Sequence, residues 1–374
     1  MAQTVAMVGA GQLARMTQQA AIALGVKLTV LADGEDDPAV QAGAQPHLGS
    51  AAALNDLRAI AQTAPVLTFD HEQVDPESLV ALESEGVTLA PSASAHLFAQ
   101  DKLHQRRELA ALGFPIPPFL HARTAAEAAV FGGEHGWPVV GKPPRGGYDG
   151  NGVFILENLD ETAALLRAHP DGLVLEPLLD LEAEIAVLVA RSRSGEIRTY
   201  PVVQTVQVDG MLRELIVPAP VDAATAERAT AIARDIAERI EATGIMALEL
   251  FLTPDGLFVN ELALRPHNSG HWTIEGAVTS QFENHLRAVL GLPLGNTALT
   301  APSAATVNVV GPADGADPRA RLADALGVPD AKVHLYGKAA RAGRKLGHVT
   351  VRAEDPSRAL AGAREAARIL EGAA

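Results

Sequence analysis

The stretch GIMALELFLTPDGLFVNELALRP, residues 244–266, consists of two apolar runs on either side of a turn, and each run carries one acid. The letters PDG in its middle suit a three-residue hairpin loop, in which a type I turn is followed by a glycine in the left-handed region. Such a loop pairs Thr253 with Leu257 and, counting outward, Glu249 with Glu261. The sequence therefore predicts a β-hairpin that brings two carboxylates face to face.

Facing carboxylates in an apolar strand pair repel each other unless a positive charge lies between them. Magnesium fits that role, because it prefers oxygen ligands and commonly binds one or two carboxylates together with substrate phosphates. We therefore predict that Glu249 and Glu261 are magnesium ligands. The alternative is that both acids face solvent without a metal. A two-residue turn would place them on opposite faces of the hairpin.

A polar run, RPHNSGHW, follows the hairpin directly. It contains Arg265, His267, Asn268 and Ser269, which we predict to line a site by hydrogen bonding. Zinc binding by His267 and His271 is disfavoured, since the nearby proline and glycine argue against a helix that would hold both imidazoles on one face.

The loop GKPPRGGYDGNG, residues 141–152, places four glycines within seven residues between two apolar strands. Glycines at this density leave backbone N–H groups free to approach an anion, and Lys142 stands where its ammonium would meet phosphates. The loop is therefore predicted to cradle nucleotide phosphates. The alternative is an ordinary hairpin with a flexible tip. The loop is not the usual P-loop, because no helix and no Gly-Lys-Ser/Thr follow it.

A fourth stretch, LVLEPLLDLEAEIAVLVA at residues 173–190, contains one strand that reaches Glu176 and another that starts after Glu184. The backbone of such a hinge could bind the edge of an adenine, and a carboxylate could bind ribose hydroxyls. By itself this pattern is weak, and it gains meaning only from its neighbours.

Near the N-terminus, VGAGQLA (residues 8–14) follows an apolar strand and opens a helix, and a second strand ends in Asp33. This is the arrangement of a dinucleotide-binding turn, and NAD is one interpretation. A lone glycine turn is weak evidence, because any phosphate or carboxylate can use the N–H groups of a helix N-terminus. The alternation of strands (4–8, 27–33, 65–69, 86–89) with helices (12–24, 52–63, 76–84) over residues 1–97 predicts a parallel, doubly wound sheet. Further along the chain, one helix is predicted between an Asp222 cap and Gly244, and another near 356–371.

The composition excludes several function classes. The 374 residues carry a net charge of −15, only 4% are aromatic and none is cysteine. We therefore expect no nucleic-acid partner, no disulfide and no thiolate chemistry. No apolar stretch long enough for a membrane span and no export signal stand out, so the cytoplasm is the expected compartment. Against this acidic background, the basic run YGKAARAGRKLGH at residues 336–348 is unusual.

In this order, the glycine loop, hinge and paired acids resemble those of ATP-grasp ligases. The sequences GAGQLARM, RGGYDGNG and LYGKAARAGRKLGHVT and the block at 260–295 resemble the N5-carboxyaminoimidazole ribonucleotide synthetase family, and the likeness spans the chain. It implies an α/β and α+β chain: a Rossmann-like parallel domain (1–97), an ATP-grasp domain (98–296, with a lid at about 120–180) and a small mixed α/β C-terminal module (297–374).

The resemblance also implies roles for individual residues. ATP would contact Lys102, Lys142, Gly147, Tyr148, Asp149, Gly150, Asn151, Gly152, Val153, Glu176, Pro177, Leu178, Leu179, Glu184, Gln207, Asn260 and Glu261. Gln207 stands where the family often has a nucleotide-contacting histidine. Bicarbonate and the aminoimidazole would lie among Glu72, Tyr148, Arg265, His267, Asn268 and Ser269, with Tyr148, Arg265, His267 and Asn268 as catalytic residues. Lys338, Arg344 and Lys345 would bind the ribonucleotide phosphate.

The implied reaction uses ATP, Mg²⁺ and bicarbonate to form carboxyphosphate, whose carboxyl group or released CO2 is captured by the exocyclic amine of 5-aminoimidazole ribonucleotide. The implied assembly is a homodimer. On this interpretation VGAGQLA lines the aminoimidazole ribonucleotide site and does not bind NAD. Two alternatives remain open. One is the related formate-dependent glycinamide ribonucleotide transformylase, and the other is a catalytically inactive nucleotide-binding protein on the same scaffold.

Overall fold

A computed structural model describes residues 3–147 and 152–372 of the chain. The strands are β1 (Thr4–Val8), β2 (Lys27–Ala32), β3 (Gln45–Leu48), β4 (Leu67–Phe69), β5 (Leu120–Ala122), β6 (Val139–Lys142), β7 (Phe154–Leu156), β8 (Leu173–Pro177), β9 (Ala183–Arg191), β10 (Ile197–Thr199), β11 (Val203–Val208), β12 (Met211–Val217), β13 (Gly244–Thr253), β14 (Gly256–Ala263), β15 (Ser303–Val310), β16 (Lys332–Leu335) and β17 (Lys345–Ala353). The helices are α1 (Gln12–Leu24), α2 (Pro38–Gln41), α3 (Leu54–Ala61), α4 (Pro76–Ser84), α5 (Ala93–Gln100), α6 (Lys102–Ala111), α7 (Ala125–His135), α8 (Leu159–Ala168), α9 (Ala223–Arg239), α10 (Thr273–Gly276), α11 (Gln281–Leu290), α12 (Leu322–Ala325) and α13 (Pro356–Glu371).

The N-terminal sheet is parallel, with the strand order β3-β2-β1-β4, which confirms the predicted doubly wound α/β arrangement. Strand β3 was not expected, because its sequence QPHL has no apolar alternation and lies at the sheet edge, where proline is tolerated. The strand predicted at 86–89 is wrong. Only Leu89 forms a bridge, to Leu67, before the chain enters α5, which Ser92 caps.

A second, antiparallel sheet has the order β5-β8-β6-β7 and lies within the predicted lid range. Helices α7 and α8 pack on it and bury Phe131, Val139 and Leu173 among other apolar side chains. Strands β6 and β7 are adjacent and antiparallel, so the glycine loop between them connects two paired strands.

The largest sheet runs β14-β13-β9-β11-β12-β15-β17-β16, with β10 paired to β9. The strands of the C-terminal module therefore continue the sheet of the ATP-grasp region through the β12–β15 pairing. Helix α9 begins at Asp222, whose carboxylate caps Thr225 as the sequence predicts. It ends at Arg239, so Gly244 does not cap it. That glycine starts β13 at φ 108°, where an added Cβ would lie 2.9 Å from the His285 ring.

Within residues 3–147 and 152–372, no helix combines the length and the apolar character needed to cross a membrane.

Candidate active site

The acid-bearing hairpin forms, but with a different turn from the predicted one. Thr253 pairs with Gly256 across a two-residue loop, a register that by itself would put Glu249 and Glu261 on opposite faces. A β-bulge restores their pairing: Leu250 pairs with Val259, and the next pair is Glu249 with Glu261. The expected three-residue loop is thus wrong, while the expected opposition of the two acids is present.

The bulge also sets the position of Asn260, the extra residue on β14. Its Oδ1 lies 3.5 Å from the Lys142 Nζ on the glycine-loop strand β6. The bulge therefore pairs Glu249 with Glu261 and also brings the Asn260 amide close to Lys142 of the neighbouring sheet.

The paired acids suit a magnesium ion that is shared with phosphates. Glu261 is exposed and Glu249 is partly buried, and the Glu249 Oε1 lies 3.9 Å from the His267 Nε2. Among the described residues no group of three or more histidines, aspartates or glutamates is placed to hold a metal. Two carboxylates leave most of an octahedral shell to phosphate and water oxygens, which is how magnesium is usually bound at nucleotide sites.

Lys142 belongs to a buried cluster of three charges. Its Nζ lies 2.8 Å from one oxygen of Glu176, and the Arg106 Nε lies 2.6 Å from the other. Burial would raise the pKa of the Glu176 carboxyl, but the charges and hydrogen bonds of Arg106 and Lys142 outweigh it and lower the pKa to about 2. Glu176 is therefore ionised throughout the physiological range.

The start of the glycine loop is docked on the N-terminus of α6. The Lys102 Nζ donates to the Gly146 carbonyl at 2.8 Å, the Lys102 N–H donates to the Pro144 carbonyl at 2.8 Å, and Arg145 pairs with Asp101 at 2.9 Å. Burial lowers the pKa of Lys102, and the nearby Glu261 carboxylate opposes that shift. Lys102, the loop and the acid pair are thus close together, as an ATP site requires.

Four predicted loop residues, Tyr148, Asp149, Gly150 and Asn151, lie outside the described residues. At the edges of this gap, Gly147 and Gly152 adopt positive φ of 79° and 84°, which L-residues rarely adopt. Val153 follows with an exposed side chain.

The predicted hinge connects β8 to β9. Leu178 is 48% exposed, which leaves apolar surface beside Pro177 and Leu179 for a flat ligand. Burial and the Glu261 charge raise the pKa of Glu184, and a hydrogen bond from Gln207 opposes them. Gln207, which replaces the histidine common in the family, therefore contacts the predicted ribose acid.

The polar run after β14 is fixed by α11. The Gln281 amide accepts from the His267 N–H at 2.9 Å and donates to the His267 carbonyl at 2.6 Å. The His267 Nδ1 meets the Ser269 hydroxyl at 2.9 Å and accepts from the Ser269 N–H at 3.3 Å, so the ring proton lies on Nε2. Burial, followed by the charges of Arg265 and Lys345, lowers the pKa of His267 well below its usual value. This imidazole is a neutral donor.

Two neighbours of His267 complete this part of the site. The Arg265 Nε lies 2.8 Å from the Glu72 Oε1, which links the end of β14 to the N-terminal domain. The Asn268 Oδ1 is buried without a hydrogen-bond partner in the described part of the chain. A buried amide oxygen in this condition favours a ligand that donates to it.

The VGAGQLA turn is occupied from within. The Asp70 carboxylate accepts from the Gly11 N–H at 2.6 Å and from the Ala14 N–H at 3.1 Å, at the position where a pyrophosphate would bind. An added Cβ on Gly11 would lie 2.7 Å from that carboxylate. The N–H groups that would bind the pyrophosphate of NAD are therefore already bonded to Asp70, which argues against the NAD interpretation.

The same turn contacts the basic C-terminal run. Lys338 donates to the Gln12 Oε1, and its Nζ lies 5.8 Å from the centre of the Tyr336 ring. Arg344 folds back onto the Ala339 carbonyl at 3.2 Å, whereas Lys345 is buried and its charge reaches His267. Of the predicted phosphate-binding cations, Lys338 thus lies beside the N-terminal turn, and Lys345 is close enough to the polar run for its charge to affect His267.

Sequence reasoning missed three residues that shape the site: Asp70, Arg106 and Gln281. Only Arg106 carried a usable signal, because it stands four residues after Lys102 on one face of a helix. The partners of the other two are distant in sequence and have no recognisable spacing.

Comparisons with known proteins cover the whole chain. Residues 1–100 match the ribonucleotide synthetase preATP-grasp domain, 107–282 the ATP-grasp domain and 304–362 the phosphoribosylaminoimidazole carboxylase C-terminal domain. The N5-carboxyaminoimidazole ribonucleotide synthase of Mycobacterium tuberculosis is 48% identical over 365 residues, which cover 95% of this chain and 84% of that protein. That of Corynebacterium ammoniagenes is 43% identical and covers 99% and 92%.

Solved structures agree with these matches. The Aspergillus clavatus N5-carboxyaminoimidazole synthase, in complex with ADP and 5-aminoimidazole ribonucleotide, superposes with a TM-score of 0.90 at 33% identity and covers 99% of each chain. The Thermus thermophilus N5-carboxyaminoimidazole ribonucleotide synthetase superposes with a TM-score of 0.87 at 36% identity and covers 98% of each chain.

Proposed function

The chain belongs to the N5-carboxyaminoimidazole ribonucleotide synthase family, and we propose that it carboxylates 5-aminoimidazole ribonucleotide at the expense of ATP in purine biosynthesis. It is an ATP-dependent ligase. In the proposed course, bicarbonate takes the γ-phosphoryl group of ATP to give carboxyphosphate and ADP. The exocyclic amine of the aminoimidazole then forms a bond to the carboxyl carbon, the carbon–oxygen bond to phosphate breaks, and the departing phosphate takes the amine proton.

At the ATP end, Lys102 and Lys142 bind phosphates beside Asn260, and the glycine loop supplies backbone N–H groups. Glu249 and Glu261 would hold Mg²⁺, which when bound neutralises charge on the transferred phosphoryl group. The residues from Glu176 to Leu179, with Glu184 and Gln207, hold the nucleoside.

At the acceptor end, the neutral His267 donates from Nε2 to an oxygen of the carboxyl donor, and Arg265 adds a positive charge next to it. Asn268 accepts a hydrogen bond from the substrate through its buried amide oxygen. Glu72 keeps Arg265 in place, and Ser269 fixes the His267 tautomer. These groups orient the reactants and do not need to change protonation state.

At the far end, Lys338, Arg344 and Lys345 bind the ribonucleotide phosphate. The contact between Lys338 and Gln12 supports this assignment, because it places a cation next to a glycine turn whose own N–H groups are occupied. The substrate would lie between the N-terminal turn and the polar run.

The observation that carries the proposal is the bulged hairpin, which pairs two acids beside a lysine–amide contact and leads directly into the polar run. The test is an assay in CO2-depleted buffer that couples ADP release to NADH oxidation, with bicarbonate, formate, aminoimidazole ribonucleotide and glycinamide ribonucleotide added separately and together. We expect ADP release only with bicarbonate and aminoimidazole ribonucleotide. A requirement for formate and glycinamide ribonucleotide would instead identify the transformylase, and no turnover in any combination would identify an inactive scaffold.

The same proposal includes a cytoplasmic homodimer whose three domains are residues 1–97, 98–296 and 297–374. Family resemblance supports the dimer. Sedimentation at micromolar concentration should give twice the chain mass of 39.0 kDa, and a species at the single-chain mass would contradict it.

A further inference from the structure

Arg106 is a buried cation that the proposed reaction does not use. Its side chain is 2% exposed and lies on α6, one turn after Lys102. The Nη1 donates to the Gln105 Oε1 at 2.7 Å, and the Gln105 Nε2 donates to the Phe98 carbonyl at 2.9 Å. Arg106 is thus fixed in the protein interior and acts on its surroundings through Glu176.

The charge balance of the cluster depends on Arg106. Glu176 is 3% exposed and contacts both cations, each through a different oxygen. Two cations and one carboxylate leave a net charge of +1. Without Arg106, Lys142 and Glu176 would form a neutral buried pair, in which the ammonium is held by its own carboxylate.

A neutral pair would be a poor phosphate site. A lysine ammonium attracts phosphate as a point charge, and a carboxylate 2.8 Å away cancels most of that attraction. In the cluster, the guanidinium holds Glu176 through a short, charge-assisted contact and leaves the charge of Lys142 uncompensated.

We propose that Arg106 is a positioning residue. It compensates the negative charge of Glu176, so that the positive charge of Lys142 is available to attract the nucleotide phosphates. This inference rests on the proposed function, because it takes Lys142 as a phosphate ligand. It assigns to Arg106 no contact with ATP, and it predicts an effect that grows with the number of phosphates.

The test is calorimetric titration of the full-length protein with ATP, ADP and adenosine in the presence of magnesium. The variants are Arg106→Met, Arg106→Lys, Glu176→Gln, Arg106→Met/Glu176→Gln, Lys142→Met and, as a matched control, Arg107→Met, which removes an exposed charge from the same helix. Circular dichroism and thermal melting check that each variant is folded.

For Arg106→Met we expect the dissociation constant of ATP to rise about tenfold or more, because Glu176 then compensates the Lys142 charge that attracts the phosphates. Adenosine should change by less than about twofold, since it carries no phosphate for Lys142 to attract. Arg106→Lys and Arg107→Met should bind ATP close to wild type. The double variant removes both charges. Because Glu176 also belongs to the nucleoside-binding segment, its ATP affinity is compared with that of Glu176→Gln alone, and the two should agree to within about threefold.

A purely structural role for Arg106 would weaken ATP and adenosine alike and would not be relieved by Glu176→Gln; either result overturns the proposal. Unchanged ATP affinity in folded Arg106→Met would do so as well. If that variant does not fold, the double variant decides: ATP affinity as low as that of Lys142→Met contradicts the proposal. A wild-type protein that binds no ATP would instead refute the proposed function itself.

Discussion

The sequence predicts two glycine-rich turns whose backbone N–H groups would bind an anion, and the surroundings of the two turns differ. At residues 8–14 the anion is Asp70, a carboxylate of the protein that lies 59 residues from Gly11 in sequence. The loop at residues 141–152 includes Lys142 and contacts Lys102 through the Gly146 carbonyl. The acid beside Lys142 is Glu176, which is paired with two cations. The difference shows that a glycine motif supplies donors only, and that a distant side chain decides whether a ligand can use them.

The two regions also treat a buried carboxylate in opposite ways. At the N-terminal turn, burial raises the pKa of Asp70 and outweighs the charges of His71 and Arg265. In the ATP region, two cations in direct contact overcome burial and lower the pKa of Glu176 to about 2. The first carboxylate serves structure by capping a helix, whereas the second joins two cations, one of which we propose to bind ATP phosphates.

The largest expected effect is at the acid pair of the ATP region. Glu261→Gln removes one magnesium ligand and its charge, so turnover should fall below about 1% of wild type. The melting temperature should not fall, because the change relieves a repelling pair. ADP release in the presence of aminoimidazole ribonucleotide measures the first effect, and Asp255→Asn, an exposed acid in the same hairpin turn, is the control. A kcat near wild type for Glu261→Gln would refute the metal assignment.

The next largest effect is expected at Lys338, which we propose to bind the phosphate of aminoimidazole ribonucleotide beside the N-terminal turn. Lys338→Ala removes a charge-assisted contact, so the KM for aminoimidazole ribonucleotide should rise about ten- to a hundredfold. The KM for ATP should change much less, because the two ends of the site are separate. Steady-state kinetics with each substrate varied in turn provide the measurement, and Arg341→Ala, exposed in the same run, is the control. Equal changes in both KM values would contradict the assignment.

A third prediction tests the closed turn. Asp70→Asn leaves one of the two N–H groups, of Gly11 or Ala14, without an acceptor, so the free energy of unfolding should fall by about 1–3 kcal/mol. ATP affinity should stay at the wild-type value. Urea denaturation and calorimetry report the two quantities. If ATP affinity fell with stability, the two regions would not be independent.

The smallest effect is a difference in acid sensitivity. The folded pKa of Glu176, about 2, lies below its ordinary value of 4.5, so its contribution is complete above pH 4.5 and is lost as the pH falls toward 2. Between pH 4.5 and 3.5 the free energy of unfolding of wild type should fall by about 1 kcal/mol more than that of Glu176→Gln. Asp70 has the opposite sign: its raised pKa means that acid relieves the cost of burying its charge. Over the same pH range, the free energy of unfolding of wild type should therefore fall less than that of Asp70→Asn. Denaturation curves of the three proteins at both pH values measure these differences.

The sequence predicted most of the elements, because apolar periodicity and caps are local properties. Strand β1 and helices α1, α4 and α13 have the predicted bounds. The acid pair was predicted through a wrong turn, since a β-bulge depends on how the strands pack and the letters of a hairpin do not reveal it. The spacing of Arg106 from Lys102 placed both on one face of a helix but did not reveal its partner, because Glu176 is 70 residues away and a helical arginine usually lies on the surface.

The continuity of the largest sheet has a consequence for dissecting the enzyme. Because β12 and β15 are neighbours, a chain cut between them would leave two complementary open edges, each with a full row of unpaired backbone groups. The C-terminal piece, expressed alone, should aggregate, whereas both pieces expressed together should recombine through that edge. Residues 297–374 are thus a poor candidate for a domain that folds alone and binds phosphate. The connection between β12 and β15 is instead a good place to divide the chain for a split-protein reporter.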